Sequence, residues 1–413
     1  MFNRNSLVAA LSAVGMLSLS GAALAQQVVV SGGATLPQPL YQDEINSFPA
    51  STFKAYVGKG SGAGKTAFLT NSAVGFDSTG VVHWIGSDSI LTQVQINDYL
   101  TTGLGKLGTP TGHGPLIQIP SVGTPVTISY KGPTADITLT KAQLCGVLSG
   151  KFTKWSDVGV SSGSAPDAFK VIYRSESSGT SELLTRHLQA VCGADSNVAF
   201  QGKSTFAQEF PSNTPPANFI AATGSGGVAT AINAQDSAIT YLSPDPAFTV
   251  ALKQAALVNR NDEAAGGFSP DSENVSTALG STAALPPANG VIERNPSGAN
   301  WSNTNNQANP FNWVRSSVDP STGYPIVGYT NFVISQCYTD SAVANAIKSF
   351  LTSHYSAANS VVGGANPGKI DQHKLVPLTN TNRARVLAAF VNGTTANLNI
   401  NNATICGSYA GRG

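Results

Sequence analysis

The sequence predicts an α/β protein whose strands are mainly parallel. Short runs of β-branched and aromatic residues alternate with longer stretches in which apolar residues recur at helical spacing. Alternation of this kind is typical of sheets built from strand–helix–strand units. At 413 residues the chain is long enough to bury a large core, and its length favours two domains.

The predicted strands are rich in Val, Ile, Phe and Tyr, and turns containing Gly, Ser or Pro separate them from the predicted helices. Among the helices, Ala342–Tyr355 has the clearest amphipathic spacing, with Val343, Ile347, Phe350 and Leu351 on one face. The predicted strands are Gln27–Ser31, Phe53–Val57, Val81–Ile85, Leu116–Ile119, Val126–Tyr130, Lys170–Tyr173, Ala238–Leu242 and Ile326–Ile334. The predicted helices are Pro37–Ser47, Lys65–Thr70, Leu91–Leu100, Lys141–Leu148, Ser181–Val191, Val228–Asn233, Ala342–Tyr355 and Arg383–Val391. Between Asn259 and Thr322 the chain is rich in Asn, Ser, Pro and Gly, which predicts long surface loops with short ordered pieces.

Residues 1–25 are typical of a cleavable export signal. Arg4 gives a positive start, an apolar stretch follows, and Ala23-Leu24-Ala25 has the small-x-small form of a signal-peptidase site. No Cys lies near that junction, so we expect no lipid anchor there and a periplasmic or secreted protein.

Charge argues against a nucleic-acid partner. The chain has 23 Lys+Arg and 22 Asp+Glu, whereas nucleic-acid binding depends on a basic field over many phosphates. A small anion needs only one Arg and a few aimed dipoles.

The four cysteines are Cys145, Cys192, Cys337 and Cys406. In an exported chain an even number predicts two disulfides, for which three pairings are possible, and we expect the sequential one. No C-x-x-C spacing indicates zinc.

The segment from Val171 to Leu184 reads as a strand, an Arg and a hydroxyl-rich turn that opens a helix. The N-terminus of a helix offers unpaired N–H groups and a partial positive charge to an anion. Ser178 and Thr180 add hydroxyl donors, and Arg174 adds a planar fork suited to phosphate or carboxylate. The alternative is an ordinary helix cap beside a surface Arg.

Four segments share this layout, in which hydroxyls, glycines or a carboxylate lie between a strand and a helix. Ligands of open α/β sheets bind beyond the carboxyl ends of strands, so these segments jointly predict a site for one small anion. The segments are Ser31–Pro37, Gly58–Gly64, Gly86–Ser89 and Arg174–Thr180.

Other motifs carry weaker signals. The run from Gly60 to Thr66 misses the P-loop pattern by one residue, because Lys59 stands where Gly is needed. Residues 159–163 match G-x-S-x-G around Ser161, but no strand precedes them and no helix follows directly. The five histidines are scattered, so we expect no metal, no cofactor and no catalytic residue.

Several longer motifs together resemble the DING family of periplasmic phosphate-binding proteins. The resemblance covers nearly the whole chain after the signal. It departs at the start, where Val29-Val30-Ser31-Gly32 replaces the Asp-Ile-Asn-Gly that names the family. The motifs are Gly32–Pro37 with Leu40-Tyr41-Gln42, Gly60-Ser61-Gly62 before Lys65 and Ala67-Phe68-Leu69, His83-Trp84, Gly86–Ser89, Leu144–Val147 with Ser149-Gly150, Tyr173–Thr180, Ala222–Ser225 and Ser335–Tyr338.

The resemblance implies a two-lobe (type II) clamp that encloses phosphate, each lobe being a mainly parallel sheet flanked by helices. It also implies crossovers near residues 121–126 and 324–329, so that residues 26–123 and 326–413 form the first lobe and residues 124–325 the second. The implied disulfides are Cys145–Cys192 and Cys337–Cys406. The implied phosphate contacts are Thr35, Leu36 through its backbone, Ser61, Asp88, Arg174, Ser178, Gly179 and Thr180.

The function predicted from this resemblance is capture of inorganic phosphate and its delivery to an ABC permease, by a monomer without enzymatic activity. Two alternatives stay open: a site for another tetrahedral oxyanion such as arsenate, and a secreted phosphatase or phosphate-ester hydrolase. Asp88 between two serines could act as a phosphatase nucleophile or as a helix N-cap. It could also accept a hydrogen bond from a protonated phosphate oxygen, which sulfate cannot offer at neutral pH.

Overall fold

The computed structural model describes residues 28–280, 285–393 and 396–413, and the predicted signal peptide lies outside them. Two main sheets, of six and five strands, each support a separate apolar core, and helices flank both. The α/β prediction is therefore confirmed. Within the described residues no helix has the length and apolar character needed to cross a membrane.

Fourteen strands are found in the described residues. They are β1 Ser31–Gly33, β2 Val57–Gly58, β3 Trp84–Ser87, β4 Leu116–Pro125, β5 Thr127–Lys131, β6 Thr138–Leu139, β7 Lys170–Arg174, β8 Phe219–Ala222, β9 Ala238–Leu242, β10 Lys253–Gln254, β11 Ala256–Val258, β12 Gly267–Phe268, β13 Val327–Ser335 and β14 Val376–Pro377.

Twelve α-helices accompany these strands in the same described ranges, together with short 3₁₀ turns and one π-helical turn over Leu387–Val391. They are α1 Gln38–Ile45, α2 Ser61–Thr70, α3 Gln93–Thr101, α4 Lys141–Leu148, α5 Gly179–Val191, α6 Gly224–Asn233, α7 Pro246–Thr249, α8 Ser272–Leu279, α9 Ser341–His354, α10 Lys369–Gln372, α11 Asn380–Val386 and α12 Ala403–Cys406.

Both main sheets are mixed, so the expectation of mainly parallel sheets is wrong. The six-stranded sheet runs β14-β4-β13-β3-β1-β2 and is parallel only from β3 to β2. The five-stranded sheet runs β10-β5-β9-β7-β8 and is parallel only from β9 to β8. Antiparallel pairing involves β4, β13 and β14 in the first sheet, and joins β5 to both of its neighbours in the second.

Most predicted elements occur, with boundaries displaced by a few residues. Lys141–Leu148 and Ala238–Leu242 match the prediction, whereas the strand predicted over Phe53–Val57 is reduced to β2 and one isolated bridge at Phe53. The prediction missed β8 and α8, the latter inside the region expected to be loops.

Part of that loop-rich region packs against the six-stranded sheet. Trp313 lies edge-on to Phe390, with 4.6 Å between ring centroids, and Trp301 donates from its indole N–H to Asn97 at 2.8 Å. Trp301 and Trp313 are both buried in cores formed mostly by residues before 123 and after 326. Part of the stretch predicted to belong to the second lobe therefore packs against residues predicted to form the first.

The four cysteines form two disulfides, with the sequential pairing that we expected. Cys145 is bonded to Cys192, joining α4 to the end of α5 across 47 residues. Cys337 is bonded to Cys406 across 69 residues and secures the C-terminal segment. Loops of this length contribute about 4 kcal/mol each in the chain-entropy model.

Candidate functional site

Four helix N-termini meet between the two main sheets. The loop before α1 contacts the start of α6, because the Thr35 hydroxyl lies 3.0 Å from the Ser225 hydroxyl and accepts from the Ser225 N–H at 3.0 Å. The start of α2 contacts the loop before α5, where the Gly62 N–H donates to the Ser177 carbonyl at 3.1 Å. All eight predicted site residues are buried at or near this junction. Unpaired N–H groups and the positive ends of several helices are thus aimed at one region.

Arg174, at the end of β7, is 2% exposed and supplies the fixed positive charge of the site. Its guanidinium forms an ion pair with Glu176, in which Nε donates to Oε1 at 2.8 Å. Nη1 lies 3.5 Å from the Thr180 hydroxyl. The same Glu176 oxygen accepts from the Gly224 N–H at 3.1 Å, so the carboxylate ties the Arg to the start of α6. The carboxylate offsets the free-energy cost of burying the guanidinium, because a buried charge is stable only when an opposite charge pairs with it.

Asp88 follows β3 and faces α5. Its backbone N–H donates to the Ser61 hydroxyl at 3.1 Å, and the Thr180 hydroxyl donates to Oδ2 at 3.2 Å. Burial raises the pKa of Asp88 to about 6, although Arg174 and neighbouring hydroxyls oppose the rise. Its Oδ1 is buried and has no hydrogen-bond partner among the described residues. Helix α3 is capped by Thr92, so Asp88 is not a helix N-cap.

Ser178 is the N-cap of α5, because its side chain accepts from the Ser181 N–H at 3.2 Å. The alternative interpretation of this residue as a helix cap is therefore confirmed. An accepting cap hydroxyl still has its own proton to donate. Gly179 follows at the first helical position, and a Cβ there would lie 2.5 Å from the Ser61 hydroxyl and 2.6 Å from Asp88 Cβ. Only glycine permits α5 to approach the first sheet this closely.

Leu36 contributes through its backbone. Its carbonyl accepts from the Ser243 hydroxyl at 3.0 Å, which joins the start of α1 to the loop after β9. A further bridge links Ser89 to Glu182, whose carboxylate accepts from the Ser89 hydroxyl at 2.6 Å. Each of these bonds joins a residue beside the six-stranded sheet to one beside the five-stranded sheet.

The other motifs remain outside this junction. Ser161 is exposed in a loop, and its hydroxyl accepts from the Gly163 N–H at 3.3 Å. Lys65 and Thr66 lie inside α2. Across the described ranges, no group of three or more His, Cys, Asp or Glu side chains is placed to hold a metal ion.

Three residues that were not predicted from the sequence, Glu176, Ser225 and Tyr241, form hydrogen bonds with residues of the site. The Tyr241 hydroxyl accepts from the Arg174 N–H at 2.9 Å and lies 2.7 Å from the Ser181 hydroxyl. Glu176 carried a usable signal, because it lies two residues beyond a candidate Arg in an extended segment and so shares its face. Nothing in the sequence indicated Tyr241, since only the pairing of β7 with β9 brings it next to Arg174.

This chain is similar to a family model and to solved structures of other proteins. A model described as the PBP superfamily domain matches residues 20–356. A phosphate-binding protein from Stenotrophomonas maltophilia has 39% identity and a TM-score of 0.76, with 94% of this chain and 100% of that chain covered. The phosphate-bound periplasmic protein PfluDING has 36% identity and a TM-score of 0.74 over 94% and 100%. The chain belongs to the DING family.

Three curated relatives of this DING protein have a different kind of name. A Pseudomonas aeruginosa protein named alkaline phosphatase L is 37% identical over 411 residues, 98% of each chain. The similarity in fold to the solved phosphate-binding proteins confirms the two-lobe architecture.

A histidine also bridges the two sheets outside the anion site. His373 Nδ1 lies 2.7 Å from Asp245 Oδ2, and its Nε2 lies 3.6 Å from Asp43 Oδ2. Burial lowers the pKa of His373, but the two carboxylates outweigh it, so the net pKa is raised above the usual value. Lys369 forms an ion pair with the same Asp43 at 3.1 Å.

We expect the His373 bridge to make stability pH-dependent. Because the folded-state pKa is raised, the contribution is complete below the unfolded pKa of about 6.5 and disappears as pH rises through the folded pKa. His373→Gln should lower the free energy of unfolding by up to about 1 kcal/mol at pH 6 and by progressively less as the pH rises. Urea unfolding of the wild type and the variant over a series of pH values measures this loss, and a loss that does not change with pH would contradict the bridge.

The close approach at Gly179 gives a second prediction. Gly179→Ala should keep α5 away from Ser61 and Asp88, at a cost of about 1–3 kcal/mol to the closed form, and so weaken anion binding by about 5- to 150-fold. Gly227→Ala in α6 is the matched control, because its nearest neighbour would be a backbone carbon at 3.9 Å. Calorimetric titration of both variants with phosphate measures the effect. Equal affinities would show that the approach is not needed.

Proposed function

We propose that this protein binds inorganic phosphate between its two lobes and that binding, without catalysis, is its biochemical act. The observation that carries the proposal is the buried Arg174, which lies among helix N-termini and hydroxyls and opposite the buried carboxyl of Asp88. This combination of donors with one acceptor suits an anion that carries a proton. Relatives described as phosphate-binding proteins support it.

The ligand contacts that we propose are divided between the lobes. The first lobe offers Asp88 with Thr35, Leu36 and Ser61, and the second offers Arg174 with the start of α5 at Ser178, Gly179 and Thr180. Because each lobe holds only part of the set, the anion is bound fully only when the lobes are closed.

We further propose that the lobes move about β4 and β13. Residues 28–123 and 326–413 form the first lobe, joined by the stretch around Trp301 and Trp313, and the rest of 124–325 forms the second. The paired strands and the bond from the Val126 N–H to the Ile326 carbonyl at 2.8 Å support this position for the hinge.

We also propose an exported location and delivery of phosphate to the membrane subunits of an ABC permease. Two disulfides suit an oxidising compartment, and PfluDING is described as periplasmic. Calorimetry of the ligand-stripped protein with phosphate, sulfate and arsenate tests the binding proposal. No heat of binding for phosphate would overturn it.

Hydrolysis of phosphate esters is the second candidate, because a relative over the full length is named alkaline phosphatase L. Assay of the wild type and Arg174→Ala with p-nitrophenyl phosphate separates the two candidates. Turnover that the substitution abolishes would place hydrolysis in this site. Turnover that is absent, or unchanged by the substitution, supports binding alone.

Arg174→Ala should weaken phosphate binding more than loss of any other side chain of the site. It removes the fixed cation and leaves a buried anion opposed by Glu176 and Asp88, which costs about 2–5 kcal/mol of binding free energy. Titration calorimetry measures the loss. A dissociation constant close to that of the wild type would remove Arg174 from the proposed contacts.

Asp88→Asn should narrow the preference for phosphate over sulfate. The ionised carboxyl accepts a hydrogen bond from protonated phosphate and repels sulfate, whereas an amide can donate to either. Competition titrations at neutral pH should show at least about a tenfold smaller phosphate-to-sulfate ratio. An unchanged ratio would end this role for Asp88.

A further inference from the structure

A second set of contacts joins the two lobes outside the anion site, at the short helix α10 and the residue after it, His373. Ile370 of α10 packs into the core against the six-stranded sheet. The two partners of this segment belong to the other lobe. Asp245 follows β9 of the five-stranded sheet, and Ser272 begins α8, which packs into the core against that sheet. Contacts of this segment with Asp245 and Ser272 therefore hold one lobe to the other.

Two charged side chains fix α10 on both of its sides. Lys369 faces α1, where its ammonium donates to the Asp43 carbonyl at 2.8 Å and pairs with the Asp43 carboxylate at 3.1 Å. Asp371 faces the opposite lobe, and its Oδ1 accepts from the Ser272 hydroxyl at 3.0 Å. Its Oδ2 accepts from the Gly363 N–H at 3.0 Å. The helix is thus anchored to the first lobe while one of its carboxylates reaches the second.

His373 lies between two carboxylates that belong to different lobes. Its Nδ1 lies 2.7 Å from Asp245 Oδ2 in the second lobe, and its Nε2 lies 3.6 Å from Asp43 Oδ2 in the first. A carboxylate accepts hydrogen bonds but does not donate them, so the ring serves both partners only when both of its nitrogens carry a proton. Asp245 is almost fully buried, and its other oxygen accepts from the Ala247 N–H at the start of α7 at 2.8 Å. This arrangement of the closed lobes favours the imidazolium.

We propose that α10 and His373 form a clasp that positions the two lobes in their closed arrangement, and that closing the clasp takes up a proton at His373. The inference rests on the proposed function, because the closed lobes are the form that holds phosphate. The residues of the clasp do not touch the ligand. They act on its affinity through the lobes that do.

Opening of the lobes changes the charges around His373. Burial lowers the pKa of His373, but Asp245 and Asp43 together raise it by more in the closed form. When the lobes open, Asp245 moves away with the second lobe, so the pKa falls towards its usual value. Closure therefore gains most below the open-form pKa, and the gain disappears as the pH rises through the closed-form pKa. The charged side chains around His373 are Asp43, Lys369, Asp371, Lys374, Asp245 and Asp271.

The experiment is titration calorimetry with inorganic phosphate for the wild type and His373→Gln over a series of pH values. The ratio of the two dissociation constants cancels the titration of phosphate itself, which both proteins share. His373→Gln should bind up to about fivefold more weakly at pH 6, and the ratio should approach one as the pH rises. Heats measured in buffers of different ionisation enthalpy should also show that the variant takes up fewer protons on binding.

Asp245→Asn tests the same contact from the other lobe. Asparagine caps a helix about as well as aspartate, so α7 keeps its start while His373 loses a charged partner. The ratio should follow the same pH profile as for His373→Gln. In the double variant the two losses should not add, because each substitution removes the same contact. Fully additive losses would contradict a direct contact between the two side chains.

His113→Gln is the matched control. His113 is a partly buried histidine in the loop before β4, and burial lowers its pKa to about 4, so it stays neutral over this pH range. Its ratio should stay near one at every pH. A ratio for His373→Gln that does not change with pH would overturn the inference alone, whereas absence of phosphate binding by the wild type would overturn the proposed function. If His373→Gln does not fold, Asp245→Asn keeps the test, because a flat profile there contradicts the clasp.

Discussion

The site depends on the buried cation of Arg174. Arg174 lies at 2% exposure between two lobes, a position that a guanidinium occupies only with opposing charge and aligned acceptors close by. Glu176 supplies the charge, and because it also accepts from the Gly224 N–H it fixes α6 relative to β7. The strand end, the turn and two helix starts are therefore positioned by the need to hold a single charge.

Close approach of backbone is the second constraint, and it follows from the first. An anion between lobes is held by N–H groups only if the helices that carry them come together, and the Cβ positions at Gly179 and Gly62 would stand 2.4–2.6 Å from atoms of the opposite lobe. Side chains at these positions would hold the lobes apart. The glycines in the site motifs thus serve the contact between lobes, and we propose that the hydroxyls beside them contact the ligand.

Local chemistry is what the sequence reveals well. The turn from Arg174 to Thr180 could be predicted as a site because strand, Arg, hydroxyls and helix start are consecutive, and its residues are brought together as expected. Tyr241 could not be predicted, because it reaches the site only through the pairing of β7 with β9. The mixed sheets were missed for a related reason. A strand's composition indicates that it is buried, but its direction depends on how distant parts of the chain are connected.

The strands about which we propose that the lobes move also lie beside the site. β13 pairs with β3 as well as with β4, and the Asn331 side-chain amide on β13 donates to the Ser87 carbonyl at 3.1 Å. Ser87 is the last residue of β3 and directly precedes Asp88. A bulge in the β4–β13 pair lies at the same point, between Thr330 and Asn331. Bulges bend a strand and are common beside functional sites, so the path of β13 and the position of Asp88 are set by the same strand contacts.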